Sequence, residues 1–171
     1  MGKGYIHVYT GDGKGKTTAA LGLALRSICA GKNVFIGQFV KGMEYSELKS
    51  IDYLPNIVIK QFGRDCFIYK EPEDEDVKLA RDGLSQCKKI LREGNYDLVI
   101  LDELNIATYY NLFTVEEAIA AIKGKAPHVE VIITGRRAHE KIIKIADLVT
   151  EMKEVKHYYN EGVEARKGIE Y

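Results

Sequence analysis

A chain of 171 residues, 46% of them hydrophobic, is long enough to bury a proper core and suits one domain. Its 25 basic and 25 acidic residues balance, which argues against a dedicated nucleic-acid binder, because such proteins carry a basic excess. No apolar run reaches membrane-span length, the first strand-like run leaves no room for a leader peptide, and the three cysteines and four histidines lack disulfide-framework or metal-ligand spacing, so a soluble cytoplasmic protein is expected.

Residues 5–9, Tyr-Ile-His-Val-Tyr, read as a central strand. Next comes Thr10-Gly11-Asp12-Gly13-Lys14-Gly15-Lys16-Thr17-Thr18, then a helix-like run over residues 18–29, rich in Ala and Leu and stopped by Gly31. Strand, glycine-rich turn and helix form the setting of a phosphate-binding loop. Gly11, Gly13 and Gly15 let the backbone curl into a concave nest of N–H groups. The helix N-terminus behind the nest adds partial positive charge. Lys16 supplies an ammonium for the terminal phosphates, and Thr17 a hydroxyl for a phosphate-bound Mg²⁺. The loop departs from the general G-x-x-x-x-G-K-[ST] pattern, because Thr10 stands where the first glycine belongs and Gly11 comes one place late. A plain lysine- and glycine-rich surface loop is the alternative, and the flanking strand and helix speak against it. A dinucleotide loop fails on spacing: the third glycine of G-x-G-x-x-G would fall at Lys16.

Residues 33–39 read as a second buried strand running into Val40-Lys41-Gly42, at what would be the carboxyl edge of a parallel sheet, where open α/β folds bind ligands. A short helix over residues 46–54 and a third strand over residues 57–62 follow. The loop over residues 63–74 holds Phe67 and Tyr69, which serve either as a ligand platform or as pins to the core. Val77, Ala80, Leu84, Cys87 and Leu91 predict a helix over residues 77–92. The apolar strand at residues 98–101 ends at Asp102-Glu103. An acid after such a strand is the usual partner of a phosphate loop, holding Mg²⁺ directly or through water; a cap on the next segment is the alternative. Residues 104–113 show no clear pattern. Thr114 and Glu117 form a capping box for a helix ending near Gly124. A strand over residues 129–134 leads to Gly135-Arg136-Arg137, either a phosphate clamp or a solvated turn. A short helix at 140–146, a final strand at 148–152 and an ordered arm over residues 155–171 complete the chain. The alternation predicts an α/β fold with a mostly parallel sheet and helices on both faces, as one domain over residues 1–171.

Together these blocks resemble the P-loop-type ATP:corrinoid adenosyltransferases over nearly the whole chain. The loop from Thr10 to Ala20, with its displaced first glycine, is similar to that family's specialised loop. Gln38-Phe39-Val40-Lys41-Gly42, Leu101-Asp102-Glu103-Leu104 and Val131-Ile132-Ile133-Thr134-Gly135-Arg136 match further blocks. So do Val155-Lys156-His157, Gly162-Val163, Ala165 and Gly168-Ile169-Glu170-Tyr171 at the C-terminus. The resemblance implies transfer of the 5′-deoxyadenosyl group of ATP to the cobalt of a reduced corrinoid, with release of tripolyphosphate. It further implies Mg²⁺, an electron donor such as a flavoprotein, and a homodimer, with neither nucleic acid nor membrane as partner. Gly11, Asp12, Gly13, Lys14, Gly15, Lys16, Thr17 and Thr18 would hold the triphosphate, with Lys41 and Arg136 as further nucleotide contacts. Thr17, Asp102 and Glu103 would lie at the metal, and Lys16, Thr17 and Glu103 would serve the chemistry.

Two departures stand out. The family's N-terminal extension over the active site has no counterpart before the first strand, which leaves the C-terminal arm as the expected cover. The family's Phe and Trp on the lower corrinoid face have Phe67 and Tyr69 as their nearest equivalents, since the chain has no Trp. A P-loop ATPase or small-molecule kinase, using Glu103 to orient water or a hydroxyl and releasing ADP, is the rival reading. A nucleotide-dependent switch without turnover is the third.

Overall fold

Short β-branched and aromatic runs separated by helix-length segments favour parallel pairing, because each crossover has room for a helix. The computed structural model describes residues 2–65 and 71–171. Its six strands are β1 (Ile6–Thr10), β2 (Val34–Phe39), β3 (Ile57–Phe62), β4 (Leu98–Asp102), β5 (Glu130–Thr134) and β6 (Leu148–Glu151). They lie in the order β3-β2-β4-β5-β1-β6. Every pairing is parallel, the α/β arrangement of a P-loop nucleotide-binding fold. The register sets Gln38 beside Asp102 and Tyr9 beside Thr134. The polar residues that end otherwise apolar strands therefore gather at one edge.

Side-chain alternation along the strands feeds two cores. Helix α1 (Lys16–Cys29) covers one face, where Ala20, Ala24 and Ile28 pack over Ile36, Ile100 and Ile132. Helices α2 (Asp74–Glu93), α3 (Leu104–Tyr109), α4 (Val115–Lys123) and α5 (Glu140–Ile145) cover the other face, over Phe35, Phe39, Val99, Leu101 and Val131. Strands β2 and β4 are buried along their whole length, as strands covered on both faces must be.

Where the elements differ from the sequence pattern, the cause is local. Helix α2 starts three residues before Val77, because Glu73 and Asp76 form an acidic capping box. Arg64 reinforces that corner: it donates to both carboxylate oxygens of Asp76 at 2.8 Å and to Glu73 at 2.7 Å. Burial alone would raise the Asp76 carboxyl, but Arg64 and the Glu73 N–H hold it below its ordinary value. Residues Ser46–Asp52 form a 3₁₀ turn with no buried residue rather than an α-helix. Helix α3 occupies part of the patternless stretch, and the Thr114–Glu117 capping box opens α4. The C-terminal stretch beyond Met152 has one 3₁₀ turn, Tyr158–Glu161, and no buried residue.

Gly83 sits where α2 crosses the end of β3. A Cβ there would lie 2.4 Å from Phe62 Cγ and 2.7 Å from Phe62 Cβ, too close to the backbone for the ring to swing away. Overpacking of this kind costs about 1–3 kcal/mol. Alanine returns at most about 1 kcal/mol of helix propensity. Gly83→Ala should therefore lower the urea midpoint of unfolding; an unchanged or higher midpoint would show that α2 yields at this point.

Candidate active site

The cleft is built on the carboxyl ends of the strands, as the parallel topology requires. After β1 the chain turns through Gly11 and Gly15, whose φ angles of 94° and 117° favour glycine. Gly11 and Gly13 serve a close approach rather than the cleft. A Cβ on either would run into the backbone at Met152 and Lys153, and the Gly13 N–H donates to the Met152 carbonyl at 2.7 Å. Those two glycines anchor the loop to the end of β6. Thr10, in the place of the usual first glycine, accepts the Ala138 N–H on its hydroxyl at 3.3 Å. It thereby ties β1 to the loop after β5.

Asp12, Lys14, Gly15, Lys16, Thr17 and Thr18 line the cleft. Lys41, Glu103 and Arg136 join them on the facing wall, around a volume of about 1110 Å³. Lys16 is buried and folds back to donate to the Gly13 carbonyl at 2.7 Å. Burial first, and then Arg136, depress its ammonium against the pull of Glu103 and Asp12. Arg136 donates to the Asp12 carbonyl at 3.3 Å. Its neighbour Arg137, at φ 56°, turns the opposite way, stacks 4.5 Å over the Tyr109 ring and donates to its hydroxyl at 2.9 Å.

Beneath the loop lies Asp102, 1% exposed at its side chain. Its Oδ1 accepts the Thr17 hydroxyl at 2.8 Å and the Thr134 hydroxyl at 2.7 Å. Its Oδ2 accepts the Lys41 ammonium at 2.7 Å, with Gln38 at a longer 3.4 Å. Glu103 follows in the left-handed region, at φ 58°, which turns its side chain into the cleft while its N–H donates to the Thr134 hydroxyl at 3.0 Å. Burial, and then the Asp102 carboxylate, push the Glu103 carboxyl above its ordinary value, against the opposing pull of Lys41, Lys16 and Arg136. Among the described residues no three His, Cys, Asp or Glu side chains form a ready metal cage.

The sequence-predicted residues thus meet at one place, except that Gly11 and Gly13 face β6 and Lys41 is engaged by Asp102. Phe67 and Tyr69 lie outside the described residues. Sequence reasoning missed Thr134 and Gln38, although a lone polar residue in each apolar strand was the available signal. It also missed the pairing of Tyr109 with Arg137, and the particular contacts by which the C-terminal arm, the expected cover, reaches the cleft. Lys14 donates to the Ile169 carbonyl at 2.9 Å, and the Ser46 hydroxyl donates to the Tyr171 carbonyl at 3.0 Å. No local pattern announces contacts over such separations.

Comparison with known proteins points to one family. The family model described as "ATP:corrinoid adenosyltransferase BtuR/CobO/CobP" matches residues 2–171. A corrinoid adenosyltransferase from a Sinorhizobium species is 38% identical over 180 residues, which cover 99% of this chain and 81% of the relative. Corrinoid adenosyltransferase CobA of Salmonella typhimurium is 38% identical over 170 residues, 99% of this chain and 86% of the relative. The corrinoid adenosyltransferase of Escherichia coli K12 is 36% identical with the same coverage, 99% and 86%.

The raised Glu103 carboxyl has a signed consequence. A carboxyl that binds its proton more tightly in the folded chain than in the unfolded one costs nothing below its ordinary pKa, where both states are protonated. Its penalty grows as pH rises toward the raised value and is complete above it. Glu103→Gln should therefore raise Tm at neutral pH, and the gain should fade as pH drops through the ordinary carboxylate range. A lowered Tm, or a gain that ignores pH, would contradict the burial account.

Proposed function

The chain belongs to the ATP:corrinoid adenosyltransferase family, and on that premise we propose how its cleft is used. The reaction is transfer of the 5′-deoxyadenosyl group of ATP to the cobalt of a reduced corrinoid. The cobalt(I) lone pair attacks C5′ in line, the C5′–O bond breaks, and its electrons leave with tripolyphosphate. No proton needs to move, so the protein's part is positioning, charge neutralisation and exclusion of water. The observation that carries this reading is the Asp102 cluster, which fixes Thr17 directly under a lysine-bearing phosphate loop.

Lys16 exchanges the Gly13 carbonyl, and Arg136 the Asp12 carbonyl, for phosphate oxygens. Lys14, Gly15 and Thr18 complete the cradle, with Gly11, Asp12 and Gly13 shaping it. Thr17 and Glu103 are hard oxygen donors at the cleft surface, with Asp102 behind them. That set fits Mg²⁺, which takes one or two protein oxygens and fills its shell from phosphate and water. When bound, Mg²⁺ neutralises charge on the leaving group. Lys41 keeps Asp102 paired. By the family resemblance, Phe67 and Tyr69 would be the aromatic residues met by the lower corrinoid face; such residues supply no electron donor to the cobalt and so would favour its reduction by a partner such as a flavoprotein. A homodimer is supported by the uncovered edge of the sheet, where all of β6 is exposed, Leu148 and Val149 included. Cytoplasmic residence follows from the need for ATP; among the described residues no helix is long and apolar enough to cross a membrane.

The test is anaerobic, with purified protein, ATP, Mg²⁺ and chemically reduced cob(I)alamin. Wild type should give a light-sensitive cobalt–carbon product together with tripolyphosphate. Lys16→Ala should lose both, while Phe67→Ala/Tyr69→Ala should lose product formation when the corrinoid must be reduced on the enzyme and still bind ATP. The Glu103 carboxylate accepts no hydrogen bond among the described residues and could orient water or an acceptor hydroxyl. Release of ADP, with no cobalt–carbon product on cobalamin or cobinamide, would therefore move the protein to the ATPase or kinase reading.

A further inference from the structure

Lys14, Lys16 and Arg136 line the cleft at the phosphate loop, and the chain's own oxygens engage each of them. Lys16 holds the Gly13 carbonyl and Arg136 the Asp12 carbonyl, both within the loop. Lys14 is different: its partner, the Ile169 carbonyl, comes from the far end of the chain, with the Glu170 carboxylate 3.8 Å away. On the opposite wall, Ser46 donates to the Tyr171 carbonyl at 3.0 Å. The last residues therefore bridge the cleft from the phosphate loop to the 3₁₀ turn after β2, and Gly168, Ile169, Glu170 and Tyr171 all line it.

This bridge holds its own shape. Glu170 accepts the Tyr158 hydroxyl and the Arg166 backbone N–H, the latter at 2.7 Å. The Arg166 guanidinium lies 5.0 Å over the Tyr158 ring, and the Gly168 N–H donates to the Tyr171 carbonyl at 2.6 Å. None of residues 153–171 is buried. Detachment would break two hydrogen bonds and one ion pair to the cleft walls and free no buried residue, the signature of a segment that opens easily.

We propose that the C-terminal segment is a nucleotide-displaced strap: the triphosphate of ATP takes Lys14 from Ile169 and Glu170, and the strap swings off the cleft as a unit, opening it to the second substrate. The inference rests on the reading that ATP seats its triphosphate on the loop. The chemistry is competition for one ammonium between a carbonyl–carboxylate pair and a polyanion of higher charge. Glu170 and the polyanion also repel each other across Lys14. Because Glu170 stays paired with Tyr158 and Arg166, release leaves no orphaned charge.

Two measurements test it. Calorimetry with Mg·ATP compares the full chain with a variant ending at Lys167, which lacks the contacts to Lys14 and Ser46. Competition predicts severalfold tighter binding by the shortened chain. In the unaltered protein, saturating Mg·ATP should speed tryptic cleavage after Arg166 and Lys167. Equal or weaker binding by the shortened chain, or cleavage that saturating Mg·ATP leaves unchanged or slows, would make the segment a fixed wall and overturn the strap while leaving the loop's role intact. Failure of Mg·ATP to bind the full chain at all would overturn both.

Discussion

The site depends on one buried ion pair. Lys41 and Asp102 meet at 2.7 Å with side chains 13% and 1% exposed, deep enough that either charge alone would be a heavy penalty. Burial would depress the Lys41 ammonium, but the Asp102 carboxylate more than offsets it and holds it above its ordinary value. The remaining lone pairs of Asp102 are met by Thr17 and Thr134, with Gln38 at longer range. One carboxylate thus pins β2, β4, β5 and the start of α1 to a common point. Val40, at φ 59°, bends the chain out of β2 just before Lys41. That is a sparsely populated conformation for a β-branched residue, and the surrounding structure has to enforce it.

What the pair leaves free is as telling. Glu103 is held in the left-handed region, beside a carboxylate that disfavours its charge, with its carboxylate turned to the cleft. Local strain and like charge at the mouth of a site are where folds depart from their own rules for function. Lys16 and Arg136 act on Glu103 from nearby, and they and Lys14 each donate to a backbone carbonyl in the cleft. The arrangement suits a reaction whose nucleophile is brought by a substrate and whose leaving group is a polyanion.

Much of this was legible in the residues, because it is written locally. The parallel sheet follows from alternating strand and helix patterns. The phosphate loop and Asp102-Glu103 follow from short motifs at strand ends, and the Thr114–Glu117 box announced its helix. What could not be read depends on distant pairing. Thr10 looked like a defective glycine until the fold set it against Ala138, and Gly13 looked like a phosphate donor until the Met152 carbonyl, just past β6, accepted its N–H. Helix α3 follows a left-handed residue and is too short for a periodicity to register. The C-terminal segment buries nothing, so no apolar pattern could place it over Lys14.

The most direct test of the central claim is a double-mutant cycle on Lys41→Met and Asp102→Asn, read by denaturant unfolding. Each single change strands the other partner in a buried place and should lose about 3–5 kcal/mol. The double variant, which strands neither, should lose much less than the sum of the two. Losses that add to within about 0.5 kcal/mol would show that the two residues act independently. The site would then have to be held together by something other than this pair.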